Sequence, residues 1–282
     1  MIDICCIGHL TADKVVTTSS TMYMPGGTAY YFSFPFCKLD VNYLLVTALA
    51  LEEMNYVTEL RDHGIEVVVQ QSSHTVNFEN IYSENQDYRT QNVLQLADPF
   101  SEAFLLPIQA KLFHLGPLLP DDISVGLIKS LAAKGKISLD AQGYLREVID
   151  QKVYPRDWPE KIEALRYVDI LKTDEGELAA LTGCTDVREG ARMVADWGVK
   201  EVIITNGSQG SLIYYEGIFY TIPAFPPQVI VDATGCGDTY MAGYLYQRCK
   251  GADVQQAGTF AAALASKKME AAGPFKGDPF SS

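Results

Sequence analysis

The shortest span able to do chemistry is Asp232-Ala-Thr-Gly-Cys-Gly-Asp238. The apolar, partly β-branched stretch Pro227-Gln-Val-Ile-Val231 leads into it. Thr239-Tyr-Met-Ala-Gly-Tyr-Leu-Tyr-Gln-Arg248 leads out, with apolar residues at helical spacing and a close at basic residues and Gly251. A tight turn therefore delivers the chain to a helix N-terminus. Gly235 and Gly237 accept backbone angles closed to other residues, so successive N–H groups can face one concavity where the helix dipole adds positive potential. That is a cradle for an anion. Asp238, in the first turn, repels a phosphate but can take the proton of a hydroxyl lying beside one. Cradle and base within four residues point to phosphoryl transfer to an alcohol, although Gly-x-Gly-Asp is also a common turn before an N-terminal acid.

The stretch Asp232 to Gly243 resembles the C-terminal signature of the PfkB, or ribokinase-like, family of carbohydrate and nucleoside kinases. The resemblance implies a catalytic base at Asp238 and an anion hole from Gly235, Cys236 and Gly237, with Cys236 standing where a small residue is usual. It further implies a three-layer α/β fold with a mostly parallel central sheet and a small β lid. The cofactors it implies are ATP and Mg²⁺, and the reaction is transfer of the γ-phosphoryl group to a hydroxyl of a small sugar, polyol or cyclitol. Some relatives hold a monovalent cation beside the turn, which extends to Asp232 and Thr234 here and makes K⁺ a further candidate.

The remaining elements must position these groups. Ile2 to Gly8 reads as a buried strand ending at glycine. Pro25-Gly26-Gly27 breaks a β-rich stretch before Thr28 to Phe34 resumes as helix. By resemblance to the family's N-terminal region, Asp13, Gly26 and Gly27 are substrate contacts: a carboxylate accepts from vicinal hydroxyls, and glycine lets a polyol approach the backbone. A turn beside a solvated Asp explains the same residues. Tyr31 stands where many members carry a substrate-binding Asn, which argues against carrying over ribose or adenosine. Gly8-His-Leu-Thr-Ala-Asp13 looks closer to inositol-kinase-like members.

Strands at 41–46 and 65–69 flank a helix at 52–62, the alternation of a parallel sheet. Period two then takes over in Thr75 to Tyr82 and Asp87 to Leu96. The chain is thus read as one domain, 1–282, with lid strands from about 10–25 and 72–98, and Arg89 is a candidate substrate contact or a solvated strand charge. Ile137 to Asp140 is a strand opening into Ala141-Gln-Gly-Tyr-Leu-Arg146. Ligands sit at the carboxyl ends of such strands, so Asp140 and Gln142 become substrate candidates, an Asp140–Arg146 ion pair being the alternative. Val153 to Pro159 reads as a connection. Lys172-Thr-Asp-Glu-Gly-Glu177 resembles the family's Asn-x-x-Glu motif. Glu177 and Asp174, the latter in place of Asn, are therefore implied as Mg²⁺ residues acting through water, with an acidic helix start as the plain explanation. The family's Thr-x-Gly-x-x-Gly turn implies nucleotide contacts at Thr205, Gly207, Ser208 and Gly210. Small residues of the last helix, Ala263 and Ser266 among them, would let adenine lie against it.

The 282 residues carry 22 Lys plus Arg against 35 Asp plus Glu, a formal charge of −13, which disfavours nucleic acid or an anionic membrane as main partner. Six cysteines without CxxC spacing suit a reducing cytoplasm, and a strand would point neighbours Cys5 and Cys6 to opposite faces. No signal peptide is expected at the start, and no apolar run reaches the ~20 residues of a membrane span. Ile7-Gly8-His9 lacks the dinucleotide fingerprint, and no Walker A pattern occurs. A non-catalytic polyol or nucleotide binder on a kinase scaffold and a nucleoside kinase stay open, as does a homodimer formed through exposed lid strands.

Overall fold

The computed structural model describes residues 1–17, 20–82 and 89–280, the side chains of 82, 89 and 90 excepted. The apolar run at the N-terminus, β1 (Ile2–Ile7), lies near the middle of the larger sheet, between β4 (Tyr43–Leu49) and β8 (Ala110–Leu115) and parallel to both. Its alternation divides the protein's interior. Cys6 points into one apolar cluster and Cys5 into the other, as a strand buried on both faces requires.

The larger sheet runs β15-β14-β13-β12-β9-β8-β1-β4-β5. It is completed by β5 (Glu66–Gln71), β9 (Lys136–Asp140), β12 (Ile170–Asp174), β13 (Glu201–Thr205), β14 (Ser211–Tyr215) and β15 (Ile218–Ile222). Pairing is parallel from β13 to β5, and β14 and β15 add an antiparallel edge. Helices cover both faces. Against Cys6 pack α1 (Thr28–Ser33), α2 (Met54–Asp62), α8 (Cys236–Cys249) and α9 (Val254–Met269). Against Cys5 pack α3 (Glu102–Leu105), α4 (Val125–Ala132), α5 (Lys161–Leu165), α6 (Glu175–Thr182) and α7 (Val187–Asp196). The expected three-layer α/β arrangement is the one observed.

A second sheet runs β10-β11-β7-β6-β2-β3. β2 (Thr11–Val16), β3 (Thr21–Gly26), β6 (Asn77–Tyr82) and β7 (Arg89–Gln95) come from the two segments read as lid strands. Two local expectations need correction. Pro25 and Gly26 continue β3 rather than ending it, which an outer strand tolerates because it leaves one row of N–H groups unpaired. The start of the connection expected at 153–159 is instead the end of a strand, β11 (Lys152–Pro155), which forms a hairpin with β10 (Arg146–Ile149). Asp150 and Gln151 turn it with φ of 48° and 66°, a two-residue geometry usually announced by Asn-Gly. Val76, Phe78 and Val93 of this sheet bury themselves with Leu118 and Leu119, which anchors it over the carboxyl ends of the parallel strands.

Candidate functional site

Helix α8 begins where the Gly-rich turn predicts. Gly235 is its N-cap in the left-handed region, φ 76°. A Cβ there would fall 2.2 Å from the Tyr31 ring, so both conformation and space demand glycine. The Cys236 N–H reaches back to the Ala233 carbonyl at 3.3 Å. The amides of Gly237 and Asp238, in the first turn, have no intrahelical acceptor to reach. Burial pushes the Cys236 thiol up to about 11, so it remains a neutral thiol.

Asp238 supplies the second of these amides and retains partial exposure. Burial of its carboxyl, reinforced by the charge of Asp140, pushes its pKa up to about 7, against the pull of Lys172 and a hydrogen bond from Thr28, with Glu177 adding a smaller upward push. Lys172 was not singled out in the sequence. Register places it directly opposite Asp140 across β12 and β9, and its Nζ lies 3.0 Å from Asp140 Oδ2 and 3.9 Å from Glu177 Oε2. Burial opposes its charge, but Asp140, Glu177 and Asp238 more than offset that and hold the ammonium protonated. The cation beside Asp140 is therefore Lys172. Its signal in the sequence was a lysine within a buried strand, where an unpaired ammonium is rarely tolerated.

A cavity of about 280 Å³ collects most of the expected residues: Asp13, Gly27, Asp140, Gln142, Thr234 and the run Gly235 to Asp238, together with Tyr31, Lys172 and Arg146. Phe78 and Gln91 close it from the second sheet, and the Gln91 side-chain amide donates to Asn80 Oδ1 at 3.0 Å. Gly26 stands one step behind, where a Cβ would meet Asp13 Oδ2 at 2.6 Å. The side chain of Arg89 lies outside the described residues.

Asp174 and Glu177 form a capping box at the start of α6. Asp174 Oδ1 accepts from the Glu177 N–H at 2.7 Å, and Glu177 Oε2 accepts from the Asp174 N–H at 2.8 Å. Both line an adjoining cavity of about 440 Å³ that shares Gln142 and Arg146 with the first. Burial raises the Glu177 carboxyl against the pull of Lys172. Among the described residues no group of three or more His, Cys, Asp or Glu is disposed to ligate a metal. Glu177 nevertheless suits Mg²⁺ held through its own waters, because this ion sheds water reluctantly.

Of the nucleotide candidates, Gly210 lines a separate cavity of about 320 Å³ beside the turn after β13, whereas Thr205, Gly207 and Ser208 are not among its described lining residues. Ser266 is buried and Ala263 half-buried on α9, and neither lines the three cavities.

The K⁺ expectation does not fit. Asp232 holds a different cation, the ammonium of Lys268, whose Nζ donates to its carbonyl at 2.8 Å and to Oδ2 at 3.1 Å. Asp232 also accepts from the amides of Thr234 and Gly273. The Asp232 oxygens are thus already met by the Lys268 ammonium and two amides, which leaves no place there for a second cation. Although burial pushes the Asp232 carboxyl up, the hydrogen bonds from Thr234 and Lys268 outweigh it and hold the group below its usual range.

A family model described as pfkB family carbohydrate kinase matches residues 38–279. A cytidine kinase of Thermococcus kodakarensis is 28% identical over 272 residues, covering 91% of this chain and 92% of its own. A pyrophosphate-dependent kinase of the ribokinase family, solved with a pyrophosphate analog and myo-inositol, superposes with a TM-score of 0.88 at 32% identity, covering 97% of both chains. Arabidopsis thaliana ribokinase, solved with ribose and ATP, shares the fold with a TM-score of 0.77 at 21% identity, covering 98% of this chain and 95% of its own. Among the described residues no helix is long and apolar enough to cross a membrane.

Proposed function

This chain belongs to the pfkB family of carbohydrate kinases, and on that premise we propose that it phosphorylates a hydroxyl of a small polyol, a cyclitol above all, with Asp238 as base. The observation that carries the reading is geometric: the Asp238 carboxyl sits on the same first helical turn as the open amides of Gly237 and Asp238, in a cavity also lined by Asp13, Gln91 and Gln142. Its volume of about 280 Å³ lies at the lower edge of the ~300–1,000 Å³ typical of small-molecule sites, which favours a single ring over a nucleoside.

The acceptor hydroxyl donates to Asp238. Its oxygen attacks the terminal phosphorus of the donor, the bridging P–O bond breaks with its electron pair leaving on the departing phosphate, and the hydroxyl proton passes to Asp238. The transition state is loose, so the proton moves late and a carboxylate suffices as base. In this reading the amides of Gly237 and Asp238 donate to the phosphoryl oxygens on which charge spreads, and Lys172 offsets Asp140 and Glu177, which would otherwise repel the donor. The second sheet acts as a lid that keeps water from competing with the acceptor. Mg²⁺, when bound, neutralises donor phosphates, and Glu177 and Asp174 would hold it through water.

ATP is the donor that the Gly-rich signature supports. Pyrophosphate is a second reading, favoured by the pyrophosphate-dependent relative and by the burial of Ser266 on the helix expected to receive adenine. Exposed Met22, Tyr23 and Leu94 on the lid support a second copy of this chain as its partner, which size-exclusion chromatography with light scattering tests. ATP and pyrophosphate, each offered with Mg²⁺ and with myo-inositol, ribose or cytidine, decide donor and acceptor. Asp238→Asn should lower turnover by roughly 10²–10⁴, and unchanged turnover would refute the assignment of the base.

A further inference from the structure

We propose that the ammonium of Lys268 takes the place of a dissociable monovalent cation beside the anion hole, so that this kinase needs no such ion. The inference rests on reading residues 235–238 as that anion hole.

Carbonyl and carboxylate oxygens of Asp232 converge three residues before Gly235, an arrangement that demands a cation. The ammonium that meets them is covalently held on α9 and is fully buried. Its surroundings are built for it. The amides of Val231 and Asp232 both donate to the Met269 carbonyl, at 2.8 and 3.2 Å, which lashes the loop to the end of α9 immediately beyond Lys268. The face of the Tyr31 ring lies 5.7 Å from Nζ on another side, and that same ring supports Gly235 from below. One charge therefore neutralises the Asp232 carboxylate and fixes the loop that leads into the amides. A mobile ion would do both only while bound, whereas the tethered charge is present at every salt composition. Lys268 is accordingly a positioning residue.

The test compares wild type, Lys268→Met and Lys268→Ala at matched ionic strength in KCl, NaCl and choline chloride. Wild-type turnover and melting temperature should be the same in all three salts. The variants should lose on the order of 10²-fold in turnover through a misaimed loop. In Lys268→Ala the vacated space should admit potassium, raising the melting temperature by about 3 °C or more over choline and returning part of the lost turnover. Activation or thermal stabilisation of the wild type by K⁺ overturns the proposal, and so does a folded Lys268→Ala that ignores K⁺. Should neither variant fold, the wild-type comparison still decides. Melting needs no substrate, so failure of this inference is distinguishable from failure of the kinase reading, which would show as absent phosphoryl transfer in every salt.

Discussion

The pH dependence of kcat/KM offers the most direct check on the site. A base with a pKa of about 7 in the free enzyme must be ionised to act, so kcat/KM should fall below neutrality with a slope approaching tenfold per pH unit. Between pH 8 and pH 6 the ionised fraction drops from about nine tenths to about one tenth, a loss of about tenfold. A carboxylate at its ordinary value near 3.8 would give a flat profile over that range. The charges around Asp238 predict opposite responses to two substitutions. Lys172→Met removes the cation that pulls the pKa down and should move the limb to higher pH by about one unit or more, since an opposite charge within ~4–6 Å shifts a carboxyl by ~1–3 units. Asp140→Asn removes a carboxylate that pushes the pKa up and should move the limb to lower pH. Lys172→Met also strands Asp140, a loss of about 3–5 kcal/mol for a broken buried pair, so its folding is checked first by thermal melting. Phosphorus NMR of acceptor phosphorylation at subsaturating substrate, across about pH 5.5 to 8.5, supplies the profile. A flat wild-type curve, or both variants shifting in one direction, refutes the account.

Gly235→Ala should lower turnover by about 10²–10³ in the same assay, because its Cβ collides with Tyr31 and φ 76° disfavours it, which moves the amides off the phosphoryl oxygens; full activity would exclude these amides from the reaction. Arg248 binds the buried Glu201 carboxylate, which also accepts from Tyr244 at 2.6 Å, and so ties the end of α8 to the start of β13. Arg248→Met should therefore cost about 3–5 kcal/mol in urea unfolding while KM stays unchanged, and stability within error of wild type would show that the ion pair contributes nothing.

Substitutions at Lys268, which is buried, differ in kind from those at Arg248, which is partly exposed, although both are partners of carboxylates. Arg248 closes a joint remote from the cavity, so its loss is read in stability alone. Lys268 acts on the loop that feeds the cavity, and its loss is read in turnover and in the response to potassium.

What the sequence by itself determined was local. The turn into α8, its left-handed glycine, the alternation of β1 and the two-period strands of the second sheet all follow from backbone angles, capping and spacing that a few consecutive residues specify. Tertiary structure alone decided which charges meet. Lys172 gains its meaning from Asp140 in another strand, Lys268 from Asp232 on another element, and the pKa of Asp238 from burial together with groups on β9, β12, α1 and α6. The hairpin at 146–155 is not legible in the sequence for a related reason: its turn carries no glycine, and although Asp150 tolerates positive φ, Gln151 does not favour it. A buried charge is tolerated only beside its counter-charge, and that partner is chosen by how strands and helices stack, which no short stretch of chain encodes.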